Sequence, residues 1–114
     1  MEDAVNWPIV NVIVGTMEQT GQTSILVTGR DEKDRDVTEY WLRAHGLDYM
    51  LGYPSLLMRP RGDNRSDEIV KEELYRQHIE PRYDVFCVFD DRDKVVKMWR
   101  KLGLTCLQVA EGAF

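Results

Sequence analysis

Cysteine is scarce in this chain. Its 114 residues include two, Cys87 and Cys106. They show neither C-x-x-C nor zinc-finger spacing, and His45 and His78 lie far from them in sequence. A disulfide framework or a small structural zinc module is therefore disfavoured. The expectation is buried free thiols in a reducing, cytoplasmic setting. Long apolar runs are lacking as well. None reaches the ~18–20 residues of a membrane span, nothing at the start reads as a secretory signal, and no membrane partner is expected. Repeats and low-complexity tracts are also absent. With 43% hydrophobic and 31% charged residues, intrinsic disorder and a collagen-like fibre are excluded. Positive charge is in deficit, 15 Lys and Arg against 20 Asp and Glu for a net charge of -5. That excludes a uniformly basic protein coating nucleic acid. The basic residues that exist are unevenly placed. None precedes Arg30 or follows Lys101, and Arg59, Arg61 and Arg65 fall in one short stretch. They form either a local patch for a nucleic-acid backbone or a solvated loop paired with nearby acids, and charge alone favours the second.

What is present reads as one domain over residues 1–114, long enough to bury a core without staples. Trp7 to Met17 is β-branched enough for a strand. Asn6 as a cap, Pro8 in the first turn, Gly21 beyond the end and the Ile9, Val12, Ile13 spacing favour a helix. Ser24 to Val27 reads as a buried strand ending at Thr28-Gly29-Arg30. Asp36 and Glu39 form a capping-box-like pair for a helix over 37–45 that Gly46 stops. A turn at Gly52-Tyr53-Pro54 precedes a strand over 55–58, and Arg59 to Arg65 is a loop. Ser66 caps a helix that turns Ile69, Leu74 and Ile79 inward. Val85 to Phe89 is a strand ending at Asp90-Asp91, and Asp93 caps a helix through Val95, Val96, Met98, Trp99 and Leu102. Gly103 stops it, and residues 104–109 form the last strand. Apolar strands alternating with amphipathic helices predict an α/β fold, doubly wound and mostly parallel.

In such a sheet ligands bind beyond the carboxyl ends of the strands. Thr28 beside Gly29 offers a hydroxyl and a backbone N–H to a phosphate oxygen. Asp90 and Asp91 offer oxygen ligands for Mg²⁺. Lys71 offers a point charge to a phosphoryl group. Each has a plainer reading, as a strand end, a turn cap and a solvated surface lysine. Together they favour a phosphate site.

The runs ILVTGR and GDNRSDEIVKEELYRQHIEPRYDVFCVFDDRDKVVKMWRKLGLTCLQVAEGAF closely resemble the carboxyl-terminal phosphatase domain of phage-type polynucleotide kinase-phosphatases, members of the haloacid dehalogenase superfamily. The resemblance runs from about Val5 to Phe114. It implies a haloacid dehalogenase-like (Rossmann-like) fold and a Mg²⁺-dependent phosphatase that acts on the 3′-phosphate ends of nucleic acids in repair. It also implies an aspartyl-phosphate intermediate and a phage protein in a bacterial host. By resemblance, Thr28 is the phosphate-binding hydroxyl, Arg30 the phosphatase-site arginine beside Gly29, and Asp67 an acid important to the site. Lys71 steadies the phosphoryl group, and Asp90 and Asp91 help hold Mg²⁺.

One part of the family pattern is missing. Its D-x-D-G-T motif carries the Asp nucleophile and the Asp general acid–base group at the end of a central strand, and no D-x-D-G-T occurs here. Asp91-Arg92-Asp93 belongs to the later motif, and Asp3 falls past where the first motif should end. Neither Thr28 nor Lys71 replaces a carboxylate nucleophile without a different mechanism. The expectation is a phosphatase fold missing its first central strand and inactive by itself, which closes directly, stays open, or borrows a strand from a second chain or a swapped homo-oligomer. The alternative is a non-catalytic module that binds phosphate or nucleic-acid ends, or serves assembly. A receiver-like domain ranks third, because the acid pair comes late in the chain.

Overall fold

The structure is a computed structural model that describes residues 5–114; Asp3 lies outside them. Two compact units divide the chain, Met1–Met58 and Arg59–Phe114. The elements alternate as the sequence predicts: α1 (Trp7–Thr20), β1 (Leu26–Asp31), α2 (Arg35–Ala44), β2 (Leu56–Arg59), α3 (Asp67–Leu74), β3 (Val88–Asp90), α4 (Asp93–Lys101) and β4 (Cys106–Gln108). No helix among the described residues is long and apolar enough to cross a membrane.

In the first unit, α1 is a helix for the reasons its termini suggest. Asn6 Oδ1 accepts the Ile9 N–H at 3.2 Å, Pro8 fits the first turn, and Gly21 closes the end at φ 71° with its N–H on the Met17 carbonyl. Although apolar, α1 has no fully buried side chain. The strand that follows is displaced from its expected place. It begins at Leu26, whose N–H bonds the Ser55 carbonyl at 2.8 Å, and continues through Thr28, Gly29 and Arg30 to Asp31. Pairing with β2, not the end of the apolar run, sets its limit. Helix α2 starts before Val37 because Asp31 caps a 3₁₀ turn, Glu32–Asp34, that leads into it. The expected Asp36/Glu39 capping box does not form: Glu39 reaches Arg35 at 3.4 Å instead, and Thr38 Oγ1 donates to the Asp34 carbonyl at 2.9 Å. The core here is Leu42, Leu47, Met50, Leu56 and Met58, with Val10, Leu26 and Trp41 packed against it.

In the second unit, α3 and α4 bury Val70, Lys71, Leu74, Val95, Val96, Met98 and Trp99. Leu74 and Ile79 point inward as expected, but Ile69 is 48% exposed. The helix is rotated so that Val70 and Lys71 take the inner face. A π turn, Tyr75–Ile79, follows it. The next strand is shorter than its apolar run: only Val88–Asp90 pairs, in parallel, with Cys106–Gln108. Both cysteines are free thiols, and burial pushes both thiols up from their ordinary pKa.

The sequence predicts one doubly wound sheet missing its first central strand. The described strands instead form two two-stranded sheets, β1–β2 and β3–β4. Each pair is joined through one helix, α2 or α4, and is only two strands wide.

Candidate functional site

The second unit gathers four of the candidate residues. Asp67 and Lys71 are one helical turn apart on α3, so their side chains share a face, and Asp90 ends β3. Lys71 Nζ lies 3.4 Å from Asp67 Oδ2 and 3.4 Å from Asp90 Oδ2. With a relative exposure of 9%, Lys71 is a buried charge. It is not the solvated surface lysine of the plainer reading. Burying an ammonium is costly unless it is paired, and two carboxylates pair it here. Asp67 also receives Arg59 at 3.5 Å and Arg92 at 3.8 Å. The result is a chain of alternating charge, Arg59–Asp67–Lys71–Asp90.

Both oxygens of Asp90 are engaged. Oδ1 accepts the Asp91 N–H at 2.9 Å, and Oδ2 accepts the indole N–H of Trp99 at 3.2 Å as well as Lys71. Asp91 is exposed, and its carboxylate makes no hydrogen bond or ion pair with the described residues. Its backbone is held firmly. Gln108 Nε2 donates to the Asp91 carbonyl at 3.0 Å and to Asp93 Oδ1 at 2.6 Å. Val109 N–H reaches the Asp90 carbonyl, and Asp93 N–H reaches the Gly112 carbonyl at 2.8 Å. Arg92 lies over the Phe114 ring, 5.2 Å from its centroid. No group of three or more His, Cys, Asp or Glu among the described residues is placed to hold a metal ion. Mg²⁺, however, keeps several waters and takes only one or two carboxylates together with substrate phosphate oxygens. Asp90 and Asp91 are the residues that could meet that smaller demand, chiefly through the Asp91 carboxylate, which is open to solvent.

Thr28, Gly29 and Arg30 belong to the first unit. Residues i and i+2 of a strand share a face, so Thr28 and Arg30 point the same way with Gly29 between them. Thr28 Oγ1 accepts the Arg30 N–H at 3.1 Å. With that lone pair engaged, the hydroxyl proton remains available to donate to an oxygen ligand.

The basic loop is mostly committed to internal pairing. Arg59 donates to the carbonyls of Asp63 and Arg65 as well as to Asp67. Arg65 pairs with Asp63 at 2.6 Å and with Glu73 at 2.7 Å. The Arg65 guanidinium holds the Asp63 carboxyl down at about 2, and the Arg65 pKa is raised in turn. For Arg59 and Arg65 the paired-loop reading describes the structure. Sequence reasoning missed the parts played by Arg59, Arg92, Trp99, Gln108 and Gly112 around the acids. The only signal was the position of Trp99 on the inner face of an amphipathic helix, which reads simply as core.

Comparisons with known proteins identify the family. The model of the family described as "Polynucleotide kinase PNKP phosphatase domain" matches residues 1–114, and the chain belongs to that family. It is 32% identical over 80 residues to a putative bifunctional polynucleotide kinase/RNA ligase of Autographa californica nuclear polyhedrosis virus. That match covers 70% of this chain and 11% of the viral protein. Among solved structures, it is similar to a chain of the Pnkp1/Rnl/Hen1 complex, with a TM-score of 0.86 and 40% identity over 99% of this chain and 38% of that one. A second structure, of the Pnkp1/Rnl/Hen1 RNA repair complex, gives a TM-score of 0.87 at 40% identity, covering 99% of this chain and 35% of the other. The chain thus spans well under half the length of each of these relatives.

Proposed function

We propose that this chain supplies the phosphate-gripping and cation-holding part of a Mg²⁺-dependent 3′-phosphatase that acts on nucleic-acid ends, RNA ends foremost, during repair. The observation that carries this reading is the buried Lys71 held between Asp67 and Asp90. An ammonium in that setting is a fixed positive charge with little solvent to screen it, suited to the charge of a transferring phosphoryl group. Thr28 donates its hydroxyl to a phosphate oxygen, and Arg30 on the same strand face adds a charged donor. Asp67 keeps Lys71 in place. Asp90 and Asp91 hold Mg²⁺, which supplies charge neutralisation at the phosphate when bound. The RNA preference rests on the relatives, which are described as a polynucleotide kinase/RNA ligase and as members of an RNA repair complex.

The nucleophilic carboxylate comes from a D-x-D-G-T segment outside these 114 residues, on the same polypeptide or on a partner chain. Two features support an added strand. The described sheets are only two strands wide, and the apolar helix α1 has no fully buried side chain. The relatives' multi-protein complex supports a partner chain as one source. By itself the chain releases little phosphate.

The test uses a 3′-phosphorylated RNA oligonucleotide, its DNA counterpart and Mg²⁺, with and without a D-x-D-G-T segment. Phosphate release only when the segment is present, lost in Asp90→Asn and Lys71→Met, is the expected result. Binding without release in every combination would instead favour the non-catalytic recognition module.

A further inference from the structure

Trp99 is 3% exposed, and its indole N–H does not bond a backbone carbonyl. It donates to Asp90 Oδ2 at 3.2 Å, the same oxygen that Lys71 approaches at 3.4 Å. The two donors differ physically. A lysine ammonium, even one held in place, offers three rotatable donors and so imposes no single direction on its acceptor. An indole donor is fixed by the plane of its ring. That ring is itself locked, with Tyr75 edge-on to it at 5.9 Å and 81°, and Tyr75 is buried too. Because Oδ1 is taken by the Asp91 N–H at 2.9 Å, the Trp99 bond fixes the remaining freedom of the carboxylate. Trp99 is also neutral, so it orients Asp90 without cancelling the negative charge a cation needs.

We propose that Trp99 is a positioning residue. It sets the plane of the Asp90 carboxylate and so the geometry of the cation site, a claim that rests on the phosphatase reading of Asp90 given above. A buried indole requires some acceptor in any protein. The choice of Asp90, the acid beside the open Asp91 carboxylate, couples the core to the site. Partners of this kind, when removed, characteristically cost about 10–100-fold in metal affinity or activity.

The experiment uses the intact protein, ¹⁵N-labelled, with the indole resonances of Trp7, Trp41 and Trp99 assigned through Trp7→Phe, Trp41→Phe and Trp99→Phe, the first two identifying Trp99 by elimination. Mg²⁺ alone is titrated into wild type and Asp90→Asn. The expected result is that the Trp99 indole resonance shifts saturably with Mg²⁺ in wild type and moves in Asp90→Asn. The Trp7 and Trp41 resonances stay in place. With the D-x-D-G-T segment supplied, Trp99→Phe raises the Mg²⁺ concentration for half-maximal release of 3′-phosphate by about 10-fold, and excess Mg²⁺ restores most of the rate. A Trp99 resonance unmoved by Asp90→Asn overturns the proposal, as does an unchanged Mg²⁺ requirement in Trp99→Phe. If Trp99→Phe fails to fold, the Asp90→Asn arm still decides. The phosphatase reading fails separately, if Asp90→Asn leaves 3′-phosphate release intact.

Discussion

Gly112 packs directly on the backbone of Asp91: a Cβ built on the glycine would lie 1.7 Å from the Asp91 carbonyl oxygen and 2.9 Å from the Arg92 Cα. The contact is backbone on backbone, so no flexible side chain is available to yield. The Gly112 carbonyl also accepts the Asp93 N–H, which holds the two segments in register. Residues after β4 thus brace the turn that presents Asp90 and Asp91.

Gly112→Ala should therefore separate the two segments. Overpacking of this kind costs about 1–3 kcal/mol, and equilibrium urea unfolding will read it. With the D-x-D-G-T segment supplied, the same substitution should weaken Mg²⁺-dependent phosphate release more than the stability loss explains, because the displaced backbone carries Asp91. Wild-type stability in Gly112→Ala would show that the tail swings away at no cost.

Removing the Lys71 charge should be expensive for a different reason. Asp67 and Asp90, each with its side chain 12% exposed, would lose the cation they share. Breaking a buried pair by deleting one partner costs about 3 kcal/mol or more. Lys71→Met is expected to lower the unfolding free energy read by urea denaturation by that amount and to abolish phosphate release when the D-x-D-G-T segment is supplied. Replacing Asp67 by Asn as well should recover part of the stability without recovering release. A Lys71→Met variant as stable as wild type would mean that the pair contributes no net stability.

The Asp63–Arg65 pair gives a pH prediction. The folded Asp63 pKa is held at about 2, below an ordinary 3.8, chiefly by the Arg65 hydrogen bond. A depressed carboxylate stabilises the fold above its unfolded pKa and loses that contribution as pH falls through the folded value. Loop 59–66 should therefore loosen between pH 4 and pH 2, seen as faster amide exchange there. Asp63→Asn should remove the pH dependence. The pair is exposed enough that salt weakens it, and an Asp63 midpoint near 4 at low salt would refute the assignment.

Much of this was legible in the chain. Asn6 and Pro8 act within the first turn of α1 and Gly21 within its last, so each end follows from local chemistry. Asp90 and Asp91 stand out because charge abruptly follows an apolar run. The strand limits were not legible in the same way. Thr28 lies inside β1 because β2 pairs there, and pairing is tertiary. The same holds for α3, where Val70 and Lys71 displace Ile69 from the inner face. Lys71 is buried because two carboxylates pair it, and spacing records the local one, Asp67, but not the distant one, Asp90. The contacts of Trp99 and Gly112 with the acid turn leave no trace in periodicity.

Tyr49 provides a last test, in the first unit. Its hydroxyl is buried and has no hydrogen-bond partner among the described residues, and burial raises its pKa. An unsatisfied buried polar group costs about 1–3 kcal/mol relative to a satisfied one. The ring itself packs against the Leu42, Leu56 and Met58 core. Tyr49→Phe keeps the ring and deletes the orphan hydroxyl, so it should leave stability unchanged or raise it by about 1 kcal/mol. Tyr49→Ala should destabilise by about 3 kcal/mol, through lost packing and the cavity left behind. A Tyr49→Phe variant less stable than wild type in urea unfolding would show that the hydroxyl has a partner in solution, with ordered water the first candidate to seek.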